Sequence, residues 1–383
     1  MAKDEVREDG MEPQPPFKVT VIGSGNFGTT VAKLVAENTA KKKDFVSQVN
    51  MWVFEEKVDG KNLSEIINTK HENVKYLPGV TLPDNVVAQP DLATACKDSN
   101  ILLFVVPHQF LGKLLPVIKA NMAADSLACT LIKGIEFDDN GIILLSEVIK
   151  TALGINVSVL MGANVASEIA KGDFAEATIG GVLGNGNILK QIFQTPYFRV
   201  SLVDNAPAVE LCGAFKNIVA LGAGFCDGLG FGNNTKAAII RIGMVEMGRV
   251  IEQHTGHFPT EILLESAGVA DLITTCYGGR NRKCAEAFVR TKKDWATIEA
   301  ELLGGQKLQG TLTSLELHKV LENQGIENQF PLFKNIYDIA FQGADPKTIV
   351  EGLVEEEEGH LIQANENHWE ITKAKKSQTN SRL

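Results

Sequence analysis

The sequence predicts an α/β fold, in which an amino-terminal domain built on a doubly wound parallel sheet precedes an all-α carboxyl-terminal domain. Up to about residue 200, short apolar runs bounded by turn residues alternate with stretches of helical spacing. From about Leu202 this alternation stops and long helical patterns take over, which indicates a domain boundary between Arg199 and Asn205. The 383 residues of the chain are enough for about two domains.

The first strand and helix enclose a phosphate-binding signature. Phe17–Ile22 ends apolar like a buried strand, Gly23-Ser24-Gly25-Asn26-Phe27-Gly28 is a G-x-G-x-x-G turn, and residues 29–36 have helical spacing. In this context the first glycine permits the tight turn, the second lets the backbone approach a pyrophosphate, and the third lets the helix pack on the strand. Because free N–H groups at the helix start would face the phosphates, the six turn residues predict a Rossmann-like dinucleotide site.

The second predicted strand, residues 49–54, leads into Glu55 and Glu56. A carboxylate after the second strand of a dinucleotide fold hydrogen-bonds the adenosine ribose and repels the additional phosphate of NADP, so we expect NAD. Glu55 lies further past Gly28 than the usual spacing of about 20 residues. An ordinary charged loop is therefore the alternative.

Two later strands, 101–106 and 127–132, end at candidate site residues. The first is followed by Pro107-His108-Gln109-Phe110 and the second by Lys133. Ligands of open α/β sheets bind at the carboxyl ends of the strands, where Phe110 could pack on a cofactor. His108 is a candidate proton carrier, although a structural role is the more common one. Lys133 is poorly explained as a surface charge, and it is a candidate for stabilising a developing oxyanion.

The predicted helix at residues 208–224 is apolar on all sides except at Glu210, Lys216 and Asn217. A lysine inside such a helix loses hydration, so its pKa should fall toward the value that a proton-shuttling amine needs near neutral pH. The alternative is a lysine that is neutralised by Glu210 or Asp271 and serves structure alone.

Composition and charge exclude several functions. With 44% hydrophobic and 22% charged residues the chain is typical of soluble globular proteins. A net charge of -10 argues against general binding of nucleic acid or anionic membranes, so an anionic substrate would need a local cluster of cations. The apolar run at residues 206–231 is interrupted by charged residues and glycines, which predicts a core helix and no membrane span. Because no apolar segment precedes the first strand, we expect no secretory signal.

The six cysteines predict buried free thiols, since they form no C-x-x-C pair and lie in apolar or mixed surroundings. The pairs His254/His257 and Cys276/Cys284 are too sparse for a zinc site, so we expect no metal.

Seven stretches of the chain carry a family resemblance, and they run from about Phe17 to about Gly352. They are Gly23-Ser24-Gly25-Asn26-Phe27-Gly28, Met51-Trp52-Val53-Phe54-Glu55-Glu56, Phe104-Val105-Val106-Pro107-His108-Gln109-Phe110, Ser158-Val159-Leu160-Met161-Gly162-Ala163-Asn164, Gly222-Ala223-Gly224-Phe225-Cys226-Asp227-Gly228-Leu229-Gly230-Phe231-Gly232, Gly268-Val269-Ala270-Asp271-Leu272-Ile273-Thr274-Thr275-Cys276-Tyr277-Gly278-Gly279-Arg280-Asn281 and Gly305-Gln306-Lys307-Leu308-Gln309-Gly310. A chain with these stretches resembles the NAD-dependent glycerol-3-phosphate dehydrogenase family in its eukaryotic cytosolic form. Phe27 departs from the pattern, since relatives often have Trp there.

The resemblance implies the reduction of dihydroxyacetone phosphate by NADH to sn-glycerol 3-phosphate, and the reverse reaction. It implies that Lys216 is the general acid/base and that Lys133 is its partner at the substrate oxygen. The polar residues that would orient the ammonium and the substrate are Asn217, Asp271 and Thr275.

The resemblance also implies that Arg280 and Asn281 clamp the substrate phosphate. A planar guanidinium suits that task, because it holds phosphate oxygens in two directions and stays charged at any working pH. Beyond the glycine turn, the positions that match dinucleotide contacts are Phe54, Phe110, Lys133, Ala166, Arg280, Lys307 and Gln309.

Two other functions stay open at the level of sequence. One is a different hydride-transferring dehydrogenase on the same scaffold, acting on another phosphorylated or amino-acid-derived 2-keto compound. The other is a catalytically idle protein that senses NAD(H), against which the intact set of Lys133, Lys216 and Asp271 argues.

The predicted organisation is a disordered lead-in at residues 1–16, a Rossmann-like NAD-binding domain at 17–200, a helical substrate and catalytic domain at 201–352, and a partly disordered tail at 353–383. Apolar helices such as residues 237–250 favour a homodimer. The terminal Ser381-Arg382-Leu383 is similar to the Ser-Lys-Leu peroxisomal address, so cytoplasmic location and delivery to a peroxisome or related microbody, through an import receptor, both stay open.

Overall fold

The computed structural model describes residues 16–138 and 141–353. The predictions for the lead-in before Pro16 and for the tail beyond Leu353, including Ser381-Arg382-Leu383, lie outside the described residues.

The described residues form twelve strands, of which eight make the central sheet. The strands are β1 (Phe17–Ile22), β2 (Phe45–Trp52), β3 (Lys57–Val58), β4 (Lys61–Asn62), β5 (Val86–Gln89), β6 (Ile101–Phe104), β7 (Leu127–Thr130), β8 (Glu136–Asp138), β9 (Gly141–Ile143), β10 (Val157–Met161), β11 (Ala175–Gly180) and β12 (Phe198–Val203). The sheet order is β12-β11-β10-β7-β6-β1-β2-β5, and β3–β4 and β8–β9 form separate two-stranded hairpins. Only the β10–β11 pair of the central sheet is antiparallel.

The same residues form fifteen α-helices: α1 (Asn26–Thr39), α2 (Leu63–Lys70), α3 (Leu92–Cys96), α4 (Leu111–Asn121), α5 (Leu145–Leu153), α6 (Ala166–Lys171), α7 (Leu183–Phe193), α8 (Ala206–Leu229), α9 (Asn233–Thr255), α10 (Thr260–Leu263), α11 (Asp271–Gly278), α12 (Arg280–Thr291), α13 (Trp295–Leu303), α14 (Gln309–Asn323) and α15 (Pro331–Tyr337). Short 3-10 turns lie at His108–Phe110, Glu327–Gln329 and Pro346–Leu353, and π-helical turns lie at Ser266–Ala270 and Asp338–Gln342. The prediction of an α/β domain followed by a helical domain is confirmed.

The strand order creates a crevice at β1. This strand pairs in parallel with β2 on one side and with β6 on the other, so the direction of winding reverses there. Helices cover both faces: α1 and α7 pack in one core, while α3, α4 and α5 pack in another. Because β1, β2, β6, β7 and β10 are parallel, their carboxyl ends meet at one edge, where open α/β sheets bind ligands.

The helical domain is organised around α8. Asn205 caps its start by accepting a hydrogen bond from the Ala208 N–H at 3.0 Å, and Gly230 ends it in a left-handed conformation. Every residue from 208 to 226 is buried. Among the residues that the structure describes, α8 is the one helix long and apolar enough to span a membrane, but it is enclosed by protein, which confirms the prediction of a core helix.

Sequence-based bounds agree with the observed bounds at some strands and differ from them by two residues at others. β1 and β10 have the predicted limits, whereas β6 and β7 each end two residues before the predicted ends at 106 and 132. β12 continues to Val203 and α8 begins at Ala206, so the change from sheet to helices lies between these residues. The domain limits at 200 and 201 stay a proposal.

All six cysteines are buried and free, as predicted. Burial raises the pKa of each thiol, to about 12 for Cys96, Cys212 and Cys276.

Candidate active site

The glycine turn after β1 has three positions with different surroundings. Gly23 has φ +122°, and a Cβ there would lie 2.6 Å from the Val105 carbonyl oxygen at the end of β6. At Gly28 a Cβ would lie 2.2 Å from the Gly23 oxygen, so this glycine lets α1 pack directly on the turn. A Cβ at Gly25 would meet nothing within 4 Å. The second glycine alone therefore faces open space, as close approach of a pyrophosphate requires.

The start of α1 can accept an anion. No side chain within residues 16–138 and 141–353 caps this helix, and its first turn contains no acidic residue, so its first N–H groups are available to a ligand. The Ser24 carbonyl oxygen accepts hydrogen bonds from Thr29 Oγ1 at 3.1 Å and from Asn73 Nδ2 at 2.9 Å, which fixes the turn. The residues present thus fit a dinucleotide pyrophosphate.

Other predicted cofactor residues lie around this turn. Asn26, the first residue of α1, is exposed, and the next residue, Phe27, packs on the core. Thr30 Oγ1 donates a hydrogen bond to the Ala166 carbonyl oxygen at 3.2 Å, which fixes the start of α6 against α1. Phe54 is 70% exposed just beyond β2, and Phe110 is 47% exposed just beyond β6. These two aromatic side chains offer apolar surface at the ligand-binding edge of the sheet.

The carboxylates after β2 have protein partners. Glu55 accepts hydrogen bonds from the backbone N–H of Ser64 at 3.2 Å and from its hydroxyl, at the start of α2. Glu56 binds Lys75 and the Tyr76 hydroxyl. The structure therefore favours the alternative in which Glu55 belongs to a structural loop, because its carboxylate already satisfies the end of a helix.

A second group of predicted residues converges on Asp271, the first residue of α11. Lys216 on α8 forms an ion pair with Asp271 Oδ1. Lys133 Nζ, which follows β7, lies 3.0 Å from Asp271 Oδ2 and donates a second hydrogen bond to the Gly162 carbonyl oxygen at 3.1 Å. Asp271 is 2% exposed and Lys216 is 3% exposed. One carboxylate thus lies between two ammonium groups, one at each oxygen.

Thr275 completes this cluster from the next turn of α11. Its hydroxyl donates to the Asp271 carbonyl oxygen at 2.6 Å, and its oxygen accepts from Lys216 Nζ at 3.0 Å. The preceding π-helical turn, Ser266–Ala270, is anchored by Ser266 Oγ, which donates to the Glu176 carbonyl oxygen at 2.6 Å. π-helical turns are frequent at functional sites, and this one sets the start of α11 against the sheet.

Burial and the charge of the partner act in opposite directions on the pKa of Lys216 and on the pKa of Asp271. Burial lowers the pKa of Lys216 to about 7; Asp271 opposes the change and Lys133 adds to it. For Asp271, burial favours the neutral acid, but the two ammonium groups outweigh it and hold the pKa below its ordinary value. Lys216 can therefore exchange a proton near neutral pH beside a carboxylate that stays charged.

Asn217 and Asn281 form a separate hydrogen-bonded unit next to the cluster. Asn281 Nδ2 donates to Asn217 Oδ1 at 2.8 Å, and Asn281 Oδ1 accepts from the Gly310 N–H at 2.9 Å. Both side chains are 7% exposed. This unit connects α8, α12 and α14 beside Lys216.

The remaining predicted residues come from the α12 and α14 starts. Arg280 is exposed and its Nη1 donates to Gln306 Oε1 at 3.1 Å. Lys307 forms an ion pair with Glu299 Oε2 at 2.9 Å, with its own side chain 67% exposed. A Cβ on Gly134 would lie 3.6 Å from Gln309 Oε1 and 3.8 Å from His108 Nδ1, so both side chains lie near the backbone that follows Lys133.

Sequence reasoning did not select Asn164 as a site residue. Both amide atoms of this side chain are buried and have no hydrogen-bond partner among the residues that the structure describes. Asn164 follows β10 at the ligand-binding edge, two residues after the Gly162 carbonyl that Lys133 binds. Its place after a buried strand was the available signal, because the same signal identified Lys133.

Within the described part of the chain, no group of three or more His, Cys, Asp or Glu side chains could hold a metal ion.

The chain is similar to known proteins along most of its length. The family model for the NAD-dependent glycerol-3-phosphate dehydrogenase N-terminus matches residues 18–182, and the model for the C-terminus of the same family matches residues 205–351. The chain is 54% identical to the human cytoplasmic glycerol-3-phosphate dehydrogenase [NAD(+)] over 328 residues, which cover 85% of this chain and 94% of the human protein. It is 51% identical to the glycerol-3-phosphate dehydrogenase 1-like protein of Xenopus tropicalis, over 88% of this chain and 97% of that protein.

Solved structures give the same result. A glycerol-3-phosphate dehydrogenase of Saccharomyces cerevisiae superposes with a TM-score of 0.85 at 45% identity, covering 89% of this chain and 100% of the yeast chain. The Plasmodium falciparum glycerol-3-phosphate dehydrogenase superposes with a TM-score of 0.86 at 40% identity, covering 90% and 97% of the two chains.

Proposed function

The chain belongs to the NAD-dependent glycerol-3-phosphate dehydrogenase family, and from this membership we propose how its site carries out the reaction. The reaction is the reversible reduction of dihydroxyacetone phosphate by NADH to sn-glycerol 3-phosphate. The observation that carries the proposal is the buried Lys216, with its pKa lowered to about 7 beside Asp271.

NADH, when bound, supplies the hydride that reaches the carbonyl carbon. Lys216 in its ammonium form donates a proton to the carbonyl oxygen, so a C=O becomes a CH–OH. In the reverse direction the neutral amine of Lys216 accepts the hydroxyl proton.

The neighbours of Lys216 orient its ammonium group and set the charge of the site. Lys133, held by Asp271 and the Gly162 carbonyl, presents a second cation where negative charge develops on the substrate oxygen. Thr275 accepts a hydrogen bond from Lys216 and so directs the ammonium. Asp271 stays ionised between the two cations, which limits the cost of burying them.

For the substrate phosphate we propose Arg280 and Asn281 as the binding residues. Arg280 is exposed beside the buried Asn217–Asn281 unit, so its guanidinium can reach a ligand. Local cations of this kind let a chain with a net charge of -10 bind a dianion. The glycine turn, Phe54, Phe110, Ala166, Lys307 and Gln309 are proposed to contact the dinucleotide.

The test follows NADH absorbance with purified protein and dihydroxyacetone phosphate, in parallel with NADPH and with unphosphorylated dihydroxyacetone. Fast loss only with NADH and the phosphorylated ketone supports cofactor, substrate and phosphate site together. Lys216→Met should lose nearly all turnover while NADH still binds. Tight NADH binding by the unmodified protein without turnover would instead favour an NAD(H)-sensing protein, and near-normal turnover by the variant would disprove the assigned acid/base.

We propose a homodimer, but not through the residues that the sequence suggested. Ile239, Ile242, Met247 and other apolar residues of α9 are buried in the chain's own core, so they are not available to a partner. Exposed Ile273 and Tyr277, one turn apart on α11, support the proposal instead. Light scattering of the purified protein measures the mass, and a monomer at micromolar concentration would contradict the proposal.

Relatives of this chain are named cytoplasmic, and we propose the cytoplasm as its location. Delivery to a peroxisome or related microbody is the alternative that Ser381-Arg382-Leu383 suggests, provided that Leu383 is the last residue of the native chain. Fluorescent fusions with the tripeptide free or followed by extra residues distinguish the two locations, since an import receptor would bind only the free end.

A further inference from the structure

Glu299 on α13 is a buried carboxylate outside the catalytic cluster, only 4% exposed. Its two oxygens bind different residues of one segment: Oε2 accepts from Lys307 Nζ at 2.9 Å and Oε1 accepts from the Leu308 N–H at 3.0 Å. Its backbone oxygen accepts from the Gly305 N–H at 3.0 Å. Glu299 alone therefore makes three hydrogen bonds to residues 304–308, which we call the connecting segment.

The other side of the connecting segment contacts the proposed phosphate site. Gln306 Oε1 accepts from Arg280 Nη1 at 3.1 Å. Directly after the segment, the Gly310 N–H donates to Asn281 Oδ1 at 2.9 Å. The connecting segment thus lies between Glu299 and the two residues proposed to bind the substrate phosphate.

Few other contacts hold the connecting segment: the Gln306 N–H donates to the Leu303 carbonyl oxygen at 3.2 Å, and Leu308 is its one residue buried in the core. Gly304 and Gly305 have φ of +59° and +83°, and glycine in such a conformation leaves the unfixed chain many alternatives. Residues 304–307 are exposed, so core packing contributes little to their order. Burying a carboxylate is costly unless its oxygens are paired, and here both oxygens are paired with this one segment.

We propose that Glu299 is a positioning residue for the substrate phosphate: it fixes the connecting segment, and through Gln306 the segment sets the guanidinium of Arg280. The proposal rests on the proposed function. Glu299 itself touches no reacting atom. It controls how much of the binding energy of the phosphate is available, which is separate from the proton transfer by Lys216.

The test compares two ketones that differ in the phosphate. Glu299→Gln keeps the size of the side chain but replaces one acceptor oxygen with an N–H donor group and removes the charge that binds Lys307. We expect kcat/KM for dihydroxyacetone phosphate to fall at least tenfold, mainly through a higher KM. The slow turnover of unphosphorylated dihydroxyacetone, measured at high enzyme concentration and at saturating NADH so that a change at Lys307 does not limit the rate, should change less than twofold.

Two further variants separate positioning from a general structural role. Glu301→Gln is the matched control: Glu301 lies on the same helix, half exposed, and binds Lys293 outside the connecting segment, so wild-type kinetics are expected. Glu299→Asp keeps the charge on a shorter side chain and should recover part of the lost kcat/KM. A parallel loss for both ketones, or no loss, would overturn the proposal.

If Glu299→Gln does not fold, Gly305→Ala tests the same segment from its exposed side. Alanine is strained at a φ of +83°, so the segment should shift without any change in the core. The same selective loss for the phosphorylated ketone is expected, and unchanged kinetics would contradict the proposal. Wild-type turnover is read separately: an inactive wild type disproves the proposed function, whereas an active wild type with an unselective Glu299 variant disproves this inference alone.

Discussion

Lys216 is nearly inaccessible to solvent, and yet it is the residue that we propose exchanges a proton with the substrate. Its burial removes hydration from the ammonium, and Asp271 returns only part of the lost stabilisation. The pKa of about 7 follows from this imbalance. The proposed role of Lys216 therefore depends on the surroundings of its ammonium group as well as on its chemical identity.

The pH dependence of the two reaction directions should be opposite. Only the ammonium form of Lys216 can donate, so kcat/KM for reduction should fall as the pH rises through about 7. Only the neutral amine can accept, so kcat/KM for oxidation should rise through the same pH. Initial rates in both directions between about pH 5 and 9 check this. Parallel profiles in the two directions would contradict the assignment.

Replacing Asp271 by Asn should shift the pH profiles of kcat/KM for the two reaction directions. Asp271 raises the pKa of Lys216, so its neutral replacement should lower that pKa further and shift the loss of reduction to lower pH. Two cations would then lack their shared counter-charge, and removing one partner of a buried ion pair costs roughly 3 to 5 kcal/mol of unfolding free energy. Urea unfolding and the pH profile measure the two effects, and an unshifted profile would show that Asp271 does not control Lys216.

At the level of residues, charge inside an apolar pattern was the informative signal. Lys216 and Lys133 stood out because an ammonium is costly in such runs, and the structure brings both to Asp271. Asn164 and Glu299 gave no such signal, since an amide after a turn and a glutamate in a helix are ordinary. The side chain of Glu299 binds residues eight and nine positions along the chain, and the amide of Asn164 has no partner within the described residues; hydrophobic periodicity encodes neither.

Among the elements, the turn between β1 and α1 shows how three similar residues differ in what they must accommodate. Gly23 and Gly28 are restricted by neighbouring backbone, and Gly25 is not. The sequence spacing predicted these roles, and the structure shows close backbone neighbours at Gly23 and Gly28 and open space at Gly25.

Alanine at Gly25 and at Gly28 should therefore fail in different ways. Gly25→Ala adds a methyl group to open space, so the free energy of unfolding should change by less than about 0.5 kcal/mol. NADH affinity should fall about tenfold, because the methyl group occupies the path of the pyrophosphate. Gly28→Ala places a Cβ 2.2 Å from the Gly23 oxygen and should destabilise the fold by more than about 2 kcal/mol. Urea unfolding and NADH fluorescence titration give both values, and equal effects on stability would refute this interpretation.

Element prediction succeeded where local pattern and tertiary environment agreed. β1 and β10 are buried on both faces and read as short apolar runs, so their limits were correct. β12 is only partly buried, and polar residues in both β11 and β12 hid these strands from the pattern. The antiparallel pairing of β10 with β11 depends on the path of the chain, which periodicity does not encode.

For the whole molecule, α8 joins the two parts of the fold. Glu210 on this helix is fully buried. Its carboxylate accepts hydrogen bonds from the N–H and the hydroxyl of Ser146 at the start of α5. Burial raises the pKa of Glu210 to about 7, against the effect of those hydrogen bonds. A titratable contact thus lies between α8 and the sheet domain.

The free energy of unfolding should fall as the pH rises, because of Glu210. A carboxyl group whose pKa is higher in the folded state binds its proton more tightly there, so the free energy of unfolding falls between about pH 4.5 and about 7. The loss is on the order of 3 kcal/mol and is complete above that range. Glu210→Gln cannot ionise, so this slope should be absent from its urea unfolding curves, while the exposed control Glu301→Gln should keep it. An unchanged slope in Glu210→Gln would contradict the assignment.

The reactivity of the buried thiols can report when a part of the native chain opens. Alkylating reagents need an accessible thiolate, and burial withholds both access and ionisation at all six cysteines. Cys96 and Cys129 belong to the sheet domain, whereas Cys212, Cys226, Cys276 and Cys284 belong to the helical domain. Timed exposure to iodoacetamide followed by peptide mass analysis would show whether one domain becomes reactive before the other. Simultaneous labelling of both sets of cysteines would mean that the two domains open as a single cooperative unit.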